Sequence, residues 1–526
     1  MGELAGTAIL IRLVLRRDRV RIPLWVGSIV GLVIIQALSI KGLYPEPGDL
    51  ERAATGLENN AAFVAMSGPT RALDTTGGRV TWEIFMFAAV VAALMNMFMV
   101  TRHTRAEEES ERGELVRSTV VGRHAPLAAA LAVAAGTDLV LVGGIGLGLV
   151  AMGLGASGSF ALGAGVAGAG LVFAGVGAVT AQVTDASRAA TGMAGAGLAL
   201  SYVLRAVGDV GDGTLTWFSP LGWAQSIRPF AGERWWVLLL IVGATGALVC
   251  GAVALENRRD LGAGLARPRP GPPQASPVLV RPVGLALRLQ RGSLIGWTVG
   301  LFLGGLAYGS VGDDVDELVG DSQEIQELMA QGGGSLTDSF LATTVLILAL
   351  VGTGYAIQST LRLRGEEVAG RAEPLLATAL SRLGWAASHL TLAAGGTVIV
   401  LAAAGVGTGL SYGLAVGEPG EWWRLGGIAL AYVPAVLVLV GLTVLVIGFA
   451  PGMAQAAWAL LAACLVVGLL GELLQLPTWV RNLSPFQHVP LMPADDLTLG
   501  PLIGLALVAV AVTSAGLIGL QRRDVG

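Results

Sequence analysis

Two charged stretches of similar wording stand out in a chain that is otherwise poor in charge. They are RAEEESERGELVRSTVVGR (105–123) and RGEEVAGRAEPLLATALSR (364–382). At an offset of 259 residues, Arg105/Arg364, Glu107/Glu366, Glu108/Glu367, Arg112/Arg371, Glu114/Glu373, Thr119/Thr378 and Arg123/Arg382 are identical. Carboxylates and guanidiniums interleaved on a short helix offer both signs of charge to a protein partner. Glu108 and Arg112 stand i,i+4, the supportive orientation on such a helix. One stretch alone reads as a solvated loop. Its repetition points to a docking surface that is needed twice.

Other chemistry is scarce. His103, His124, His389 and His488 are scattered without metal-ligand spacing, so no metal is expected. Cys250 and Cys464 each lie in an apolar block, which argues against a disulfide framework. A phosphate loop needs a lysine after its glycine, and the single lysine, Lys41, precedes Gly42. ATP hydrolysis by this chain is thereby excluded. HExxH and paired intramembrane aspartate motifs are missing, which disfavours a membrane-embedded enzyme. Thirty-three basic against 37 acidic residues, net −4, is too balanced for nucleic acid.

The elements that carry the charged stretches are apolar. Of 526 residues 54% are hydrophobic and 13% charged, half the charge of a soluble protein, and the mean hydropathy is +0.70. Uncharged runs long enough to cross a bilayer recur at about 22–40, 82–100, 127–154, 160–180, 190–207, 235–255, 295–311, 339–360, 388–410, 428–449, 455–474 and 501–520. The fold expected is an all-α polytopic membrane protein of about twelve transmembrane helices. With both termini in the cytoplasm, 24 of the 33 basic residues fall on the cytoplasmic side, and both charged stretches become cytoplasmic loops.

The landmarks repeat in order. Arg16, Arg19 and Trp25 recur as Arg288, Arg291 and Trp297; Ser219-Pro220 as Ser484-Pro485; Arg258-Arg259-Asp260 as Arg522-Arg523-Asp524. Six spans per half make the repeat parallel. The expected organisation is an N-terminal cytoplasmic elbow helix (1–21), a first six-helix half (22–266), a Pro-rich cytoplasmic linker (267–284) and a second six-helix half (285–526). The basic stretch before each half reads as an interfacial elbow, with Arg12, Arg16 and Arg19 on one helical face.

The chain resembles the membrane subunit of bacterial ABC exporters of the polyketide-antibiotic (tetronasin-type) class. The resemblance covers nearly the whole length. It is carried by TRHTRAEEESERGELVRS (101–118), SPLGWAQSIRPFAGERWW (219–236), RRDLGAGL (258–265), LRGEEVAGRAEPLLAT (363–378), LPTWVRNLSPFQHVP (476–490) and QRRD (521–524). Glu111-Arg112-Gly113 departs from the family pattern, to which Gly370-Arg371-Ala372 is closer. The resemblance implies an ABC-2 (type V exporter-like) permease in the bacterial cytoplasmic membrane that exports amphiphilic antibiotics. It implies pairing with two copies of a separate ATP-binding subunit, which binds the ATP and Mg; this chain holds no cofactor.

By that resemblance, Arg105, Glu107, Glu108, Arg112 and Glu114, with Arg364, Glu366, Glu367, Arg371 and Glu373, couple to the ATPase. Spans 2, 5, 8 and 11 face one another in similar exporters and would bring Phe85, Phe87, Asn96, Tyr202, Tyr355, Gln358 and Trp458 to a substrate path. Ser219, Pro220 and Trp223, and Ser484, Pro485 and Phe486, would begin short re-entrant helices that close an outer gate.

Asp138, Glu83, Arg205, Asp209 and Glu472 are ionisable groups in or beside spans, and Arg205 and Asp209 are spaced to pair. The run Gly312–Asp338 is strongly acidic and reads as a solvated extracytoplasmic helix. Gly144/Gly148 suit close helix packing. The alternative is a twelve-helix, proton-coupled secondary transporter of the major facilitator type. Residues 101–126 are acidic where that family has a glycine- and arginine-rich loop.

Overall fold

The computed structural model describes residues 2–45, 48–54, 61–110, 119–260, 262–266, 273–279, 281–312, 335–470 and 476–523. These are helical, with no strand among the described residues. The chain divides into two compact units, Met1–Gly271 and Pro272–Gly526. Arg112, Glu114, Glu472, the acidic residues between 313 and 334, and residues 267–272 of the Pro-rich linker lie outside the described residues.

In the first unit an amphipathic helix, Thr7–Arg17, precedes six spans: Arg21–Leu43, Thr76–His103, Ala125–Ala151, Ala156–Val183, Ser187–Val210 and Val237–Glu256. Their apolar sequences leave the backbone as the polar group to satisfy, and a helix satisfies it within the segment. The second and fourth spans are the inner ones, 72% and 78% buried along their most apolar windows, against 17% for the first and 22% for the sixth. Gly144 and Gly148 of the third span face Val30 and Ile34 of the first at distances that leave no room for a Cβ. Close packing is their role.

The second unit holds Pro282–Gly309, Leu336–Val368, Arg382–Val416, Glu421–Leu430 with Val433–Phe449, Ala456–Leu470 and Leu499–Arg522. Again the second span is the inner one, 78% buried in its window. Pro434, which has no N–H to donate, sits where the fourth span of this unit breaks and restarts.

Eleven helices among the described residues are long and apolar enough to cross a membrane, and the further apolar helix Ala456–Leu470 runs up to residues outside the described ones. One expectation needs correction: among the described residues no separate elbow precedes the second half. Pro282, inside the expected linker, is the first residue of a continuous 28-residue helix that contains Arg288, Arg291 and Trp297. The first half breaks because Asp18 is drawn inward: its buried carboxylate meets Arg102 Nη1 and His103 Nε2, both at 2.5 Å. At the matching place Gln290 stays helical, accepting from Ser359 Oγ at 2.6 Å and lying 3.2 Å from His389 Nδ1.

Candidate functional site

The charged stretches begin where the second span of each unit runs out of apolar sequence. In the first unit a short turn of helix, Arg105–Glu109, follows the span. Arg105 is almost fully buried, and its guanidinium donates to Glu108 Oε2 (2.8 Å) and to the carbonyls of Asp185 (2.8 Å), Gly262 (2.6 Å) and Ala263 (3.3 Å). Glu108 is gripped from the other side by Arg259, whose Nη1 and Nη2 both lie 2.8 Å from its carboxylate. Arg259 Nε reaches Gln182 Oε1 at 2.7 Å. Arg123 then closes on the exit of the sixth span, donating to the carbonyls of Glu256 and Arg259 at 2.5 and 3.1 Å.

The second unit builds the same clasp. Arg364 Nη1 donates to Glu367 Oε2 at 2.9 Å, Arg523 Nη2 reaches Glu367 Oε1, and Arg382 Nη1 donates to the Arg523 carbonyl at 2.8 Å. Arg105/Arg364, Glu108/Glu367, Arg123/Arg382 and Arg259/Arg523 are thus the same four residues used twice. Each set ties the end of the second span, and the start of the third, to the exit of the sixth. Fork-shaped guanidiniums on a carboxylate give such a joint direction as well as strength.

The clasp changes how the coupling residues read. Arg105, Glu108, Glu366 and Glu367 are turned into their own unit and hold the loop in place. Glu366 lies between Arg371 (2.8 Å) and Arg362 (2.6 Å). Glu107, partly buried, pairs with Arg17 of the elbow. What the second loop leaves exposed is Arg371, Glu373 and the outer side of the helix Ala372–Leu376. Beneath it, Leu375 and Leu376 pack on a small core that includes Trp385 and Ile447. Arg259 and Arg523 are repeated landmarks in the sequence but are not among its expected coupling residues. The recurrence of Arg-Arg-Asp was their signal.

The proposed path residues divide. Phe85, Asn96 and Tyr355 are buried within their own units. Asn96 Nδ2 donates to Asp138 Oδ1 at 2.8 Å, which supplies the partner that the sequence left unidentified, and Tyr355 donates to the Leu392 carbonyl at 3.1 Å. Tyr202, partly buried, donates to the Met66 carbonyl and lies under the Arg205 guanidinium. Phe87, Gln358 and Trp458 remain exposed, Gln358 accepting from Trp297 Nε1 at 2.7 Å.

Both gate motifs turn into short helices. Ser219 caps Pro220–Gln225, accepting from Gly222 N while its hydroxyl lies 2.6 Å from the Ser201 carbonyl, and Trp223 donates to the Trp217 carbonyl. Ser484 precedes the 3-10 turn Pro485–His488, in which Phe486 stacks on Tyr432. Arg205 and Asp209 pair at 3.4 Å, as their spacing suggests. Glu83 takes Arg79 and Gln36.

Residues 279–521 match the family model of the multidrug efflux system permease Rv1217c, C-terminal domain. Over 525 residues, 99% of this chain and 95% of the relative, the chain is 42% identical to the multidrug efflux system permease protein Rv1217c of Mycobacterium tuberculosis.

Proposed function

Since the chain belongs to the family of this multidrug efflux permease, we propose that it is the membrane subunit of an ATP-driven exporter of lipophilic or amphiphilic drugs, polyketide-type antibiotics among them. Power comes from two copies of a separate ATP-binding subunit, which carry the ATP and Mg. They dock on the loops 105–123 and 364–382 at the cytoplasmic face of the bacterial plasma membrane, where both termini also lie.

The observation that carries this reading is the duplicated clasp. A loop that only joins two spans has no need of an Arg–Glu–Arg joint on a buried glutamate, least of all the same joint twice. A loop that transmits force does, because a lever must be stiff where it meets the helices it moves. The exposed helix Ala372–Leu376 supplies the contact, and the clasp supplies the stiffness. The single lysine, which no phosphate loop uses, supports phosphate chemistry in another polypeptide.

Co-expression with a candidate ATP-binding subunit tests the reading. Expected are a stable complex, hydrolysis stimulated by amphiphilic drugs, and no hydrolysis by this chain alone. Turnover by the isolated chain, or export that persists without any ATPase, overturns it. Proton-coupled transport has one observation in its favour, the buried Asn96–Asp138 pair in mid-span. It predicts that export needs no ATPase and is abolished by Asp138→Asn; the ATP-driven reading predicts that export survives Asp138→Asn.

A further inference from the structure

At the end of the second span opposite the clasp, the first unit has a small cleft of about 30 Å³ whose lining includes Arg71, Arg228, Gln225, Trp82 and Phe85. Two guanidiniums therefore share one small space, with Arg234 near both. Burial and the charges of Arg228 and Arg234 push the Arg71 guanidinium below its ordinary pKa, and burial and Arg234 do the same to Arg228. Asp209 is the carboxylate that acts on Arg71, and its oxygens are already engaged by Thr216 Oγ1 (2.8 Å), Gln225 Nε2 (2.9 Å) and Arg205 (3.4 Å).

The cleft also holds polar atoms without partners. Gln225 is nine-tenths buried and its Oε1 has no hydrogen bond; the buried Nε of Arg228 has none either. Buried polar groups left in this way are rare in finished structures. Their arrangement is not slack. Arg228 and Phe230 both hold the left-handed backbone, at φ 57° and 58°, conformations that L-residues adopt only when held. The hold comes from the Phe230 ring, which fills a slot above Gly77 and Gly158, where any Cβ would stand within 2.4 Å of it.

We propose that this cleft binds the oxyanion, carboxylate or phosphate, of an amphiphile. Arg71 and Arg228 take the charge, Gln225 Oε1 accepts from a neighbouring hydroxyl, and Trp82 and Phe85 pack the first carbons of the apolar body. Guanidinium forks match both oxyanions, and desolvation strengthens the contact. The anion is either a carried amphiphile or a lipid head group. The proposal stands apart from the power source: a chain that never meets an ATPase still binds the anion.

The test uses the full chain in nanodiscs of zwitterionic phosphatidylcholine and a diazirine-bearing dodecanoate as photoprobe. Expected is labelling concentrated in 67–85 and 225–231, displaced by laurate and dodecyl phosphate but not by dodecanol or dodecylamine. Arg71→Gln with Arg228→Gln should weaken probe binding about tenfold or more, and Arg71→Lys should keep most of it. The charge selectivity is read on the unaltered chain, so it does not depend on the variants folding. Phosphatidylglycerol in the disc separates the sources: if it suppresses labelling, the occupant is a lipid head group, and if not, a carried anion. Labelling spread along the chain, or displaced equally by the neutral and cationic probes, overturns the proposal.

Discussion

The two clasps are chemically alike and differently buried. In the first, the Arg105 and Arg259 side chains are 1% and 4% exposed; in the second, those of Arg364 and Arg523 are 30% and 17% exposed. The first is also braced by neighbours that the second lacks: Gln182 on Arg259, and the elbow arginine Arg17 on Glu107. In the second, the buried Glu366 pairs with the exposed Arg371 beside the helix Ala372–Leu376, while the matching Arg112 and residues 113–117 of the first lie outside the described residues. The shared part is the joint itself, so its geometry is what both halves require. The unshared parts tell how each half is anchored, the first by an elbow and the second by a continuous helix.

Removing the carboxylate is the hardest way to break the comparison. Glu108→Ala strands two buried guanidiniums, a loss on the order of 3–5 kcal/mol. Glu367→Ala should cost distinctly less, because its arginines reach solvent. Thermal unfolding of the two purified variants measures both, and equal losses would mean that burial does not distinguish the clasps. Next in size is the docking effect. Glu373→Lys combined with Glu114→Lys should release the proposed ATP-binding subunit, at about 2–5 kcal/mol for pairs buried at the interface. Expression and insertion should stay normal. Co-purification reads the outcome, and Asp316→Lys with Glu317→Lys is the control that should assemble.

A smaller effect separates the anchors. Asp18→Ala leaves His103 and Arg102 without their acceptor and should cost about 1–3 kcal/mol, whereas Gln290→Ala, which removes neutral hydrogen bonds, should cost about 1 kcal/mol. Protease sensitivity of the 1–21 segment should rise only for the first. Smallest is Arg17→Gln. Its pair with Glu107 is partly solvated, so the loss is about 1 kcal/mol or below and fades with added salt.

Much of this was legible in the residues. Long apolar runs mark spans because length and apolarity suffice, and the bounds from 82–100 to 501–520 fall inside observed helices apart from 127–154, which ends three residues past its helix, 235–255, which starts two before its helix, 295–311, which runs two past its helix, the broken 428–449, and 455–474, which starts one residue before its helix and ends outside the described residues. The duplication was legible too, because Arg105/Arg364 and Arg259/Arg523 stand in matching order. What the sequence hid is direction. Glu108 and Glu107 are neighbours of one type, yet one turns inward to Arg259 and the other to Arg17, and only the packing of the chain between Glu108 and Arg259, 151 positions apart, decides which. Asp18 was hidden in another way, as a lone acid among arginines that reads as solvated until His103 and Arg102 are seen against it.

The span of sequence that the clasp encloses sets a clock on synthesis. Glu108 is made 151 residues before Arg259, and Glu367 is made 156 before Arg523. At roughly 5–20 residues per second, each glutamate waits on the order of ten to thirty seconds for the arginine that completes it. During that wait Glu108 lacks the Arg259 fork and Arg105 lacks the carbonyls of Gly262 and Ala263, at the edge of a bilayer already receiving the third, fourth and fifth spans. Closure reports that the sixth span has arrived with the right end toward the loop. Because each clasp draws on its own half alone, the first can certify itself before the second has begun. A nascent chain halted before Arg259 should therefore be open to quality-control proteases in a way that one halted beyond it is not.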